Sequence, residues 1–426
     1  MPMFITFVVI GSLAILLVLS RALLALFGPT PQYRTDGFAP GDLGSLDYVV
    51  FLGAICDAPI NQHTTVTVLR NGDEIYSAEL AAIHAAQHGV NLESYEFIAG
   101  EVTKRFVEAM TERARAGVQV QVVVDAMGSF GTHDSYFANL RDAGGRVEWY
   151  HPLRWYSWPK ANNRTHRKLL VVDGKIAFCG GADWADEWLI AKKNKPAWRD
   201  TMFRIEGDAV AALQAVFAEN WLETDGSVLT GEKQFPPPEL NGDATALVVN
   251  STPHSGQTRA RILFQTLLES AHRTIDVTTP YFLPDKAVRR AMIRAAQQRG
   301  VRVRVLTAGR RIDHAFVRHL SHSMQGSLLK NGIEIHEYEP SMIHAKIMTI
   351  DGIWSVIGST NFDHRSFGLN DEVNVAVRDE KLAARLLQDF ENDLEHSGRF
   401  TYETWRKRSA TAKALDFLIG TFEREE

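Results

Sequence analysis

The chain repeats itself, and no other feature constrains its fold as strongly. A stretch of helical periodicity from Glu101 stops at Gly117 and runs into Val118-Gln119-Val120-Gln121-Val122-Val123-Val124-Asp125. A second stretch from Lys286 stops at Gly300 and runs into Val301-Arg302-Val303-Arg304-Val305-Leu306. Each reads as a helix, a glycine stop and an alternating valine-rich strand. Further on, Gly144-Gly145-Arg146-Val147-Glu148-Trp149-Tyr150 matches Asn331-Gly332-Ile333-Glu334-Ile335-His336-Glu337-Tyr338. Another strand precedes each helix, ending at Tyr95-Glu96-Phe97 in one copy and Pro280-Tyr281-Phe282 in the other. Strands alternating with helices predict an α/β fold of two similar halves packed about a pseudo-twofold axis. Each half is expected to hold a mostly parallel mixed sheet flanked by helices.

The boundaries follow from composition. The first half is expected over 45–232, the second over 247–400, and a charged helical tail over 401–426. Between the halves, Gln234-Phe235-Pro236-Pro237-Pro238-Glu239-Leu240-Asn241-Gly242 reads as a linker, placed at 233–246. An insertion around Trp155 to Asn162 accounts for the slight drift in register between the copies.

The N-terminus departs from globular behaviour. No charged residue occurs from Met3 to Ser20, a run long enough for a hydrocarbon core of about 30 Å. Met1-Pro2-Met3 lacks the basic residue that opens a secretory signal, so residues 3–27 are expected to be a retained transmembrane anchor. Arg21 and Arg34 on its C-terminal flank favour a cytoplasmic catalytic body.

Both halves carry one further pattern. The first is His166-Arg167-Lys168-Leu169-Leu170-Val171-Val172-Asp173-Gly174, trailed by Gly180-Gly181-Ala182-Asp183. The second is His344-Ala345-Lys346-Ile347-Met348-Thr349-Ile350-Asp351-Gly352, trailed by Gly358-Ser359-Thr360-Asn361. Residues i and i+2 of a strand share a face, so His166 lies beside Lys168 and His344 beside Lys346. An imidazole next to an ammonium suits a phosphate: one group attacks phosphorus or moves a proton, the other neutralises oxygen. Two facing pairs supply a nucleophile and a general acid, with a covalent phosphohistidine between two easier displacements. Ser359 and Asn361 offer further phosphate contacts. Asp173 and Asp351 complete each pattern but fall in turns, where a purely structural aspartate is the alternative.

These residues resemble the signature of the phospholipase D superfamily and, within it, the bacterial cardiolipin synthases. The resemblance extends from about Glu74 to Ser397. It is carried by the two motifs, Trp198-Arg199-Asp200-Thr201, Thr279-Pro280-Tyr281-Phe282-Leu283-Pro284-Asp285, Tyr338-Glu339-Pro340 and the block from Ile343 to Asp379. It implies metal-independent transfer of a phosphatidyl group, with no cofactor, from phosphatidylglycerol to a second phospholipid at the bacterial inner membrane. The acceptor is then a second phosphatidylglycerol, with phosphatidylethanolamine as a further candidate substrate; the alternative acceptor is water, which would make the enzyme a phospholipase D-type hydrolase. His166 is then the nucleophile and His344 the general acid, an order the sequence leaves open to reversal. Asp200 and Glu372 match the acidic residues that orient the histidines. Where relatives usually carry Asn, this chain has Asp183, which would repel a phosphate unless paired, for instance with Lys168.

A nucleic-acid partner is not expected: the formal net charge is −5, the wrong sign for coating a polyanion. The only cysteines, Cys56 and Cys179, have no metal-type spacing and promise no disulfide framework.

Overall fold

The computed structural model describes residues 6–7, 9–17, 20, 41–152, 162–192, 195–253 and 258–409. The first half supplies strands β1 (Ile60–Arg70), β2 (Gly89–Ser94), β3 (Gln119–Asp125), β4 (Arg146–Tyr150), β5 (Arg164–Thr165), β6 (Leu169–Val172), β7 (Ile176–Gly180) and β8 (Thr201–Gly207). The second supplies β9 (Ala244–Ser251), β10 (Thr274–Thr279), β11 (Phe282–Leu283), β12 (Arg302–Ala308), β13 (Glu334–Tyr338), β14 (Ile347–Ile350), β15 (Trp354–Gly358), β16 (Phe362–Asp363), β17 (Asn370–Arg378) and β18 (Ser397–Phe400). The first half's order β4-β3-β2-β6-β7-β8-β1 is repeated in reverse as β9-β17-β15-β14-β10-β12-β13 in the second. The antiparallel pairing of β1 with β9 joins them into one continuous sheet. That is the pseudo-twofold arrangement read from the repeat.

The expectation of a mostly parallel sheet needs correction. Along the main sheet path parallel pairing is confined to β2-β3-β4 and β10-β12-β13, where a helix or long connection intervenes; the two-residue pairings β5-β17 and β11-β16 are also parallel. The other main-sheet neighbours, including β6-β7-β8 and β14-β15-β17, run antiparallel. At β6-β7 and β14-β15 the short link dictates this, because a few residues can reverse a chain but cannot make a crossover. Each signature strand ends in such a turn: Asp173 and Gly174 have φ of 53° and 61°, Asp351 and Gly352 56° and 71°. Two successive left-handed residues close a hairpin tightly, and Asp-Gly tolerates that conformation well.

Helices cover both faces, so β2, β6 and β15 are buried throughout. Strands buried on both sides read as continuous apolar runs, as Leu169-Leu170-Val171-Val172 does. Helices Glu101–Arg115 and Lys286–Arg299 fill equivalent places between β2 and β3 and between β10 and β12.

The halves interlock beyond the sheet. Helix Leu46–Cys56, grouped by sequence with the first half, packs in the second half's core through Tyr48, Val49, Leu52 and Cys56. Tyr48 Oη donates to Ser270 Oγ at 2.7 Å, and Trp354 Nε1 donates to Leu43 O at 2.8 Å. The Pro-rich connection also docks: Gln234 is buried, bonding Asn91 at 2.9 Å and Gln214 at 3.0 Å. Residues 244–246, read as the end of the linker, open β9.

Of the apolar N-terminus, the described residues 6–7, 9–17 and 20 are helical and exposed. Among the described residues no helix is long and apolar enough to cross a membrane. The rest of the expected anchor, the aromatic insertion Trp155-Tyr156-Trp158 and most of the C-terminal tail lie outside the described residues.

Candidate active site

The histidine–carboxylate pairs form because each half lends its acidic strand to the other's histidine. β5 runs parallel to the start of β17, with Arg164 opposite Asn370 and Thr165 opposite Asp371. The His166 amide then donates to Asp371 O at 2.9 Å, bringing His166 beside Glu372. The mirror arrangement bridges Arg199 to Ile343, and the His344 amide donates to Arg199 O at 2.7 Å, bringing His344 beside Asp200. His166 Nδ1 lies 3.0 Å from Glu372 Oε1, and His344 Nδ1 lies 3.0 Å from Asp200 Oδ2. Asp200, held ionised, and the Gly181 carbonyl 3.0 Å away only accept, so Nδ1 of His344 carries the proton; Glu372 sets Nδ1 of His166 the same way when it is ionised. Room for the crossing strand explains a glycine: a Cβ on Gly181 would stand 2.1 Å from Asp200 Oδ1.

The strand pleat does the rest. Arg167, between His166 and Lys168, turns to the opposite face, where its guanidinium meets Glu219 at 2.6 Å. Lys168 Nζ donates to His166 O at 2.9 Å, and Lys346 Nζ donates to His344 O at 2.6 Å. Both lysines and both histidines are buried. Tyr95 sets its ring edge-on to His166 with centroids 5.3 Å apart, and Tyr281 does the same to His344 at 6.4 Å. Trp188 and Trp198 wall the other side of His344, at 5.3 and 5.4 Å.

Electrostatically the two pairs differ. Burial, together with the charges of Lys168 and Lys346, holds the His166 imidazole well below its ordinary range. Burial and Lys346 also lower His344, opposed by Asp200. Burial would raise the Asp200 carboxyl, but His344, Lys346 and the Trp188 indole N–H outweigh it, so Asp200 stays below the usual range. Burial lifts Glu372 to about 7, against the hydrogen bond from Ser359 and the charge of Lys168. Burial also brings Lys346 down to about 7, opposed chiefly by Asp200.

The structure therefore brings together His166, Lys168, Glu372, His344, Lys346 and Asp200. Two other sequence expectations change, and the pairing of Asp183 with Lys168 stands as read. Asp173 and Asp351 stand at the far ends of β6 and β14. There they accept the amides of Gln87, His88 and Gly89, and of His272, Arg273 and Thr274. Each clamps the entrance of the neighbouring parallel strand and does not reach the histidines. Ser359 faces Glu372, to which its hydroxyl donates, so it supports the acid and is not free for phosphate. Asp183 is buried against Lys168 Nζ at 3.0 Å and accepts from Ser94 Oγ and the Tyr95 amide, both at 3.1 Å. Asn361 sits at the matching point of the second half, its buried Oδ1 without a partner among the described residues.

Sequence reasoning missed Ser94, Tyr95, Trp188 and Tyr281 as site residues. Tyr95 and Tyr281 were visible at matching strand ends; Ser94 and Trp188 carried no signal.

The comparisons with known proteins agree with this geometry. A family model described as "Cardiolipin synthase, PLD-like domain" matches residues 80–221 and 264–394, one segment in each half. The chain belongs to the cardiolipin synthase-type enzymes of the phospholipase D superfamily. It is 34% identical over 363 residues to a cardiolipin synthase of Geobacillus sp., covering 84% of this chain and 72% of that one. It is 32% identical over 383 residues to the major cardiolipin synthase of Bacillus subtilis, covering 89% and 78%. Among solved structures, the phosphatidylserine synthase of Haemophilus influenzae superposes with a TM-score of 0.67 at 13% identity, covering 87% of this chain and 95% of that one. The polyphosphate kinase of Porphyromonas gingivalis gives 0.54 at 14% identity, covering 84% and 53%. At such identities these two speak for the fold alone.

Proposed function

We propose that this enzyme transfers the phosphatidyl group of phosphatidylglycerol to a second phospholipid, giving cardiolipin, through a phosphohistidine at His166. The observation that carries the reading is the crossed pair His166–Glu372 and His344–Asp200, with one lysine beside each histidine.

His166, held low by burial and two lysines, is the neutral imidazole and attacks phosphorus through Nε2. His344, against an ionised Asp200, is the better imidazolium and gives its proton to the departing glycerol oxygen. That cleaves the phosphorus–oxygen bond and leaves a phosphorus–nitrogen bond on His166. His344, now neutral, takes the proton from a hydroxyl of the acceptor lipid's head group, whose oxygen attacks phosphorus and frees His166. Both steps conserve charge and need no metal. Lys168, Lys346 and Asn361 hold the phosphate oxygens; Tyr95 and Tyr281 keep each imidazole in plane. The acceptor is phosphatidylglycerol, whose glycerol hydroxyl attacks; phosphatidylethanolamine, which has no head-group hydroxyl, can replace only the donor, with ethanolamine leaving in place of glycerol. The exposed apolar N-terminal helix supports attachment of the chain to the bacterial inner membrane, catalytic body on the cytoplasmic side.

Lipid mass spectrometry tests this directly. Purified enzyme given phosphatidylglycerol, with and without phosphatidylethanolamine, is expected to yield cardiolipin and glycerol. Phosphatidic acid without cardiolipin would make water the acceptor, and no turnover of either lipid would refute the reading.

A further inference from the structure

Two loops at the mouth of the site place large apolar side chains in solvent. Phe130 is 85% exposed and Met127 41%, in the loop that leaves β3; Phe316 is 61% exposed, in the first turn of helix Ala315–Lys330, which follows the loop that leaves β12. β3 and β12 are equivalent strands of the two halves. Each runs parallel to the strand leading to the site tyrosine, β2 to Tyr95 and β10 to Tyr281, so both loops emerge on the edge where the histidines lie.

Both loops are fastened to that edge. Ser129 Oγ donates to Tyr95 O at 2.9 Å, and the Phe97 amide donates to Ser129 Oγ at 2.9 Å. On the other side the Tyr281 hydroxyl donates to Asp313. Phe130 and Phe316 are thus adjacent to the residues that touch His166 and His344. The second loop also exposes Arg310, Arg311 and His314. The one acidic residue of the two segments, Asp313, accepts from Tyr281, and Asp134, just beyond the first, accepts from Arg141 and Trp149.

We propose that loop 126–133 and segment 309–316, a loop with the first turn of the helix it enters, form a docking surface for an anionic phospholipid bilayer, with Phe130, Met127 and Phe316 entering the interface. Exposed aromatics beside arginines at a site mouth fit such a surface: rings partition into the head-group boundary and the cations meet lipid phosphates. Because the loops are related by the pseudo-twofold axis, docking sets that axis upright on the membrane. Both histidines then face the head groups, and two lipids can enter from either side. The inference rests on the lipid reading above.

The test uses the full chain, whose two native cysteines are buried. Phe130→Cys and Phe316→Cys carry a polarity-sensitive fluorophore; Lys175→Cys, in the β6–β7 turn at the opposite edge, is the control. With vesicles of equal phosphatidylglycerol and phosphatidylcholine, the first two labels brighten and the third stays unchanged. An equal response at all three positions, or none at 130 and 316, overturns the proposal. In parallel, the Phe130→Ser/Phe316→Ser variant is expected to lose at least about ten-fold in rate on those vesicles, as burial of each ring contributes on the order of ten-fold or more. Its rate on monomeric short-chain phosphatidylglycerol is unchanged; an equal loss on both substrates sinks the docking role. Absence of turnover on monomeric lipid by the parent enzyme would instead indict the lipid reading, while the fluorophores still report docking.

Discussion

The two halves of the site share one backbone plan and differ in charge. In the first, Lys168 is neutralised by Asp183 at 3.0 Å, and Glu372 stands at about 7. In the second, neutral Asn361 replaces that partner, Lys346 is brought down to about 7, and Asp200 is held ionised. A twofold fold therefore need not give a twofold mechanism. The folded backbone delivers two imidazoles in equivalent places; burial and lysine charge lower both, and at His344 Asp200 opposes the shift.

The sharpest way to break this comparison is to remove each histidine. His166→Ala and His344→Ala are each expected to cost on the order of 10⁴-fold or more in turnover, as members of a catalytic unit do. They separate by trapping: quenched His344→Ala enzyme accumulates lipid adduct on His166, whereas His166→Ala forms none. An adduct on His344 in parent enzyme would reverse the roles.

The carboxylates come next. Asp200→Asn is expected to lower kcat about 10³-fold, since the imidazolium it stabilises would lose its counter-charge. Glu372, already near half-protonation at neutral pH, should cost about ten-fold less when changed to Gln. Equal losses would erase the electrostatic difference between the halves.

Glu372→Gln also predicts a stability signature. Burial raises the folded carboxyl from 4.5 to about 7, so the folded chain holds a proton that the unfolded chain releases between those values. Stability therefore falls as pH rises through that window and stays lower above it, by up to about 3 kcal/mol. The variant lacks this penalty, so its Tm should exceed the parent's at pH 8 and lose that advantage by pH 4.5.

The smallest effects belong to the remaining aspartates. Asp183→Asn, matching the second half's Asn361, should change KM several-fold with little effect on kcat, read from lipid titrations. Asp173→Ala and Asp351→Ala should each cost about 2–3 kcal/mol of stability, by orphaning three strand-entry amides, and leave the activity of folded enzyme intact. Loss of activity without loss of stability would return them to the catalytic list.

Much of this molecule was legible because repetition is a one-dimensional signal. The copies of helix, glycine and valine strand predict matched halves, and the period of two in a strand puts His166 beside Lys168 without knowledge of the fold. Asp200 and Glu372 could be named from the residues around them. What remained illegible depends on which distant segments meet. No local pattern says that Glu372 serves His166 and Asp200 serves His344, because that follows from β5 lying on β17 and Arg199 on Ile343. Nor could sequence tell that helix Leu46–Cys56 crosses to the second half, or that Ser359 backs Glu372. Residue types and spacing determined the chemistry available to this protein. Tertiary pairing decided its wiring, because burial and a neighbour's charge, acting over a few ångströms, set the proton affinity of each imidazole.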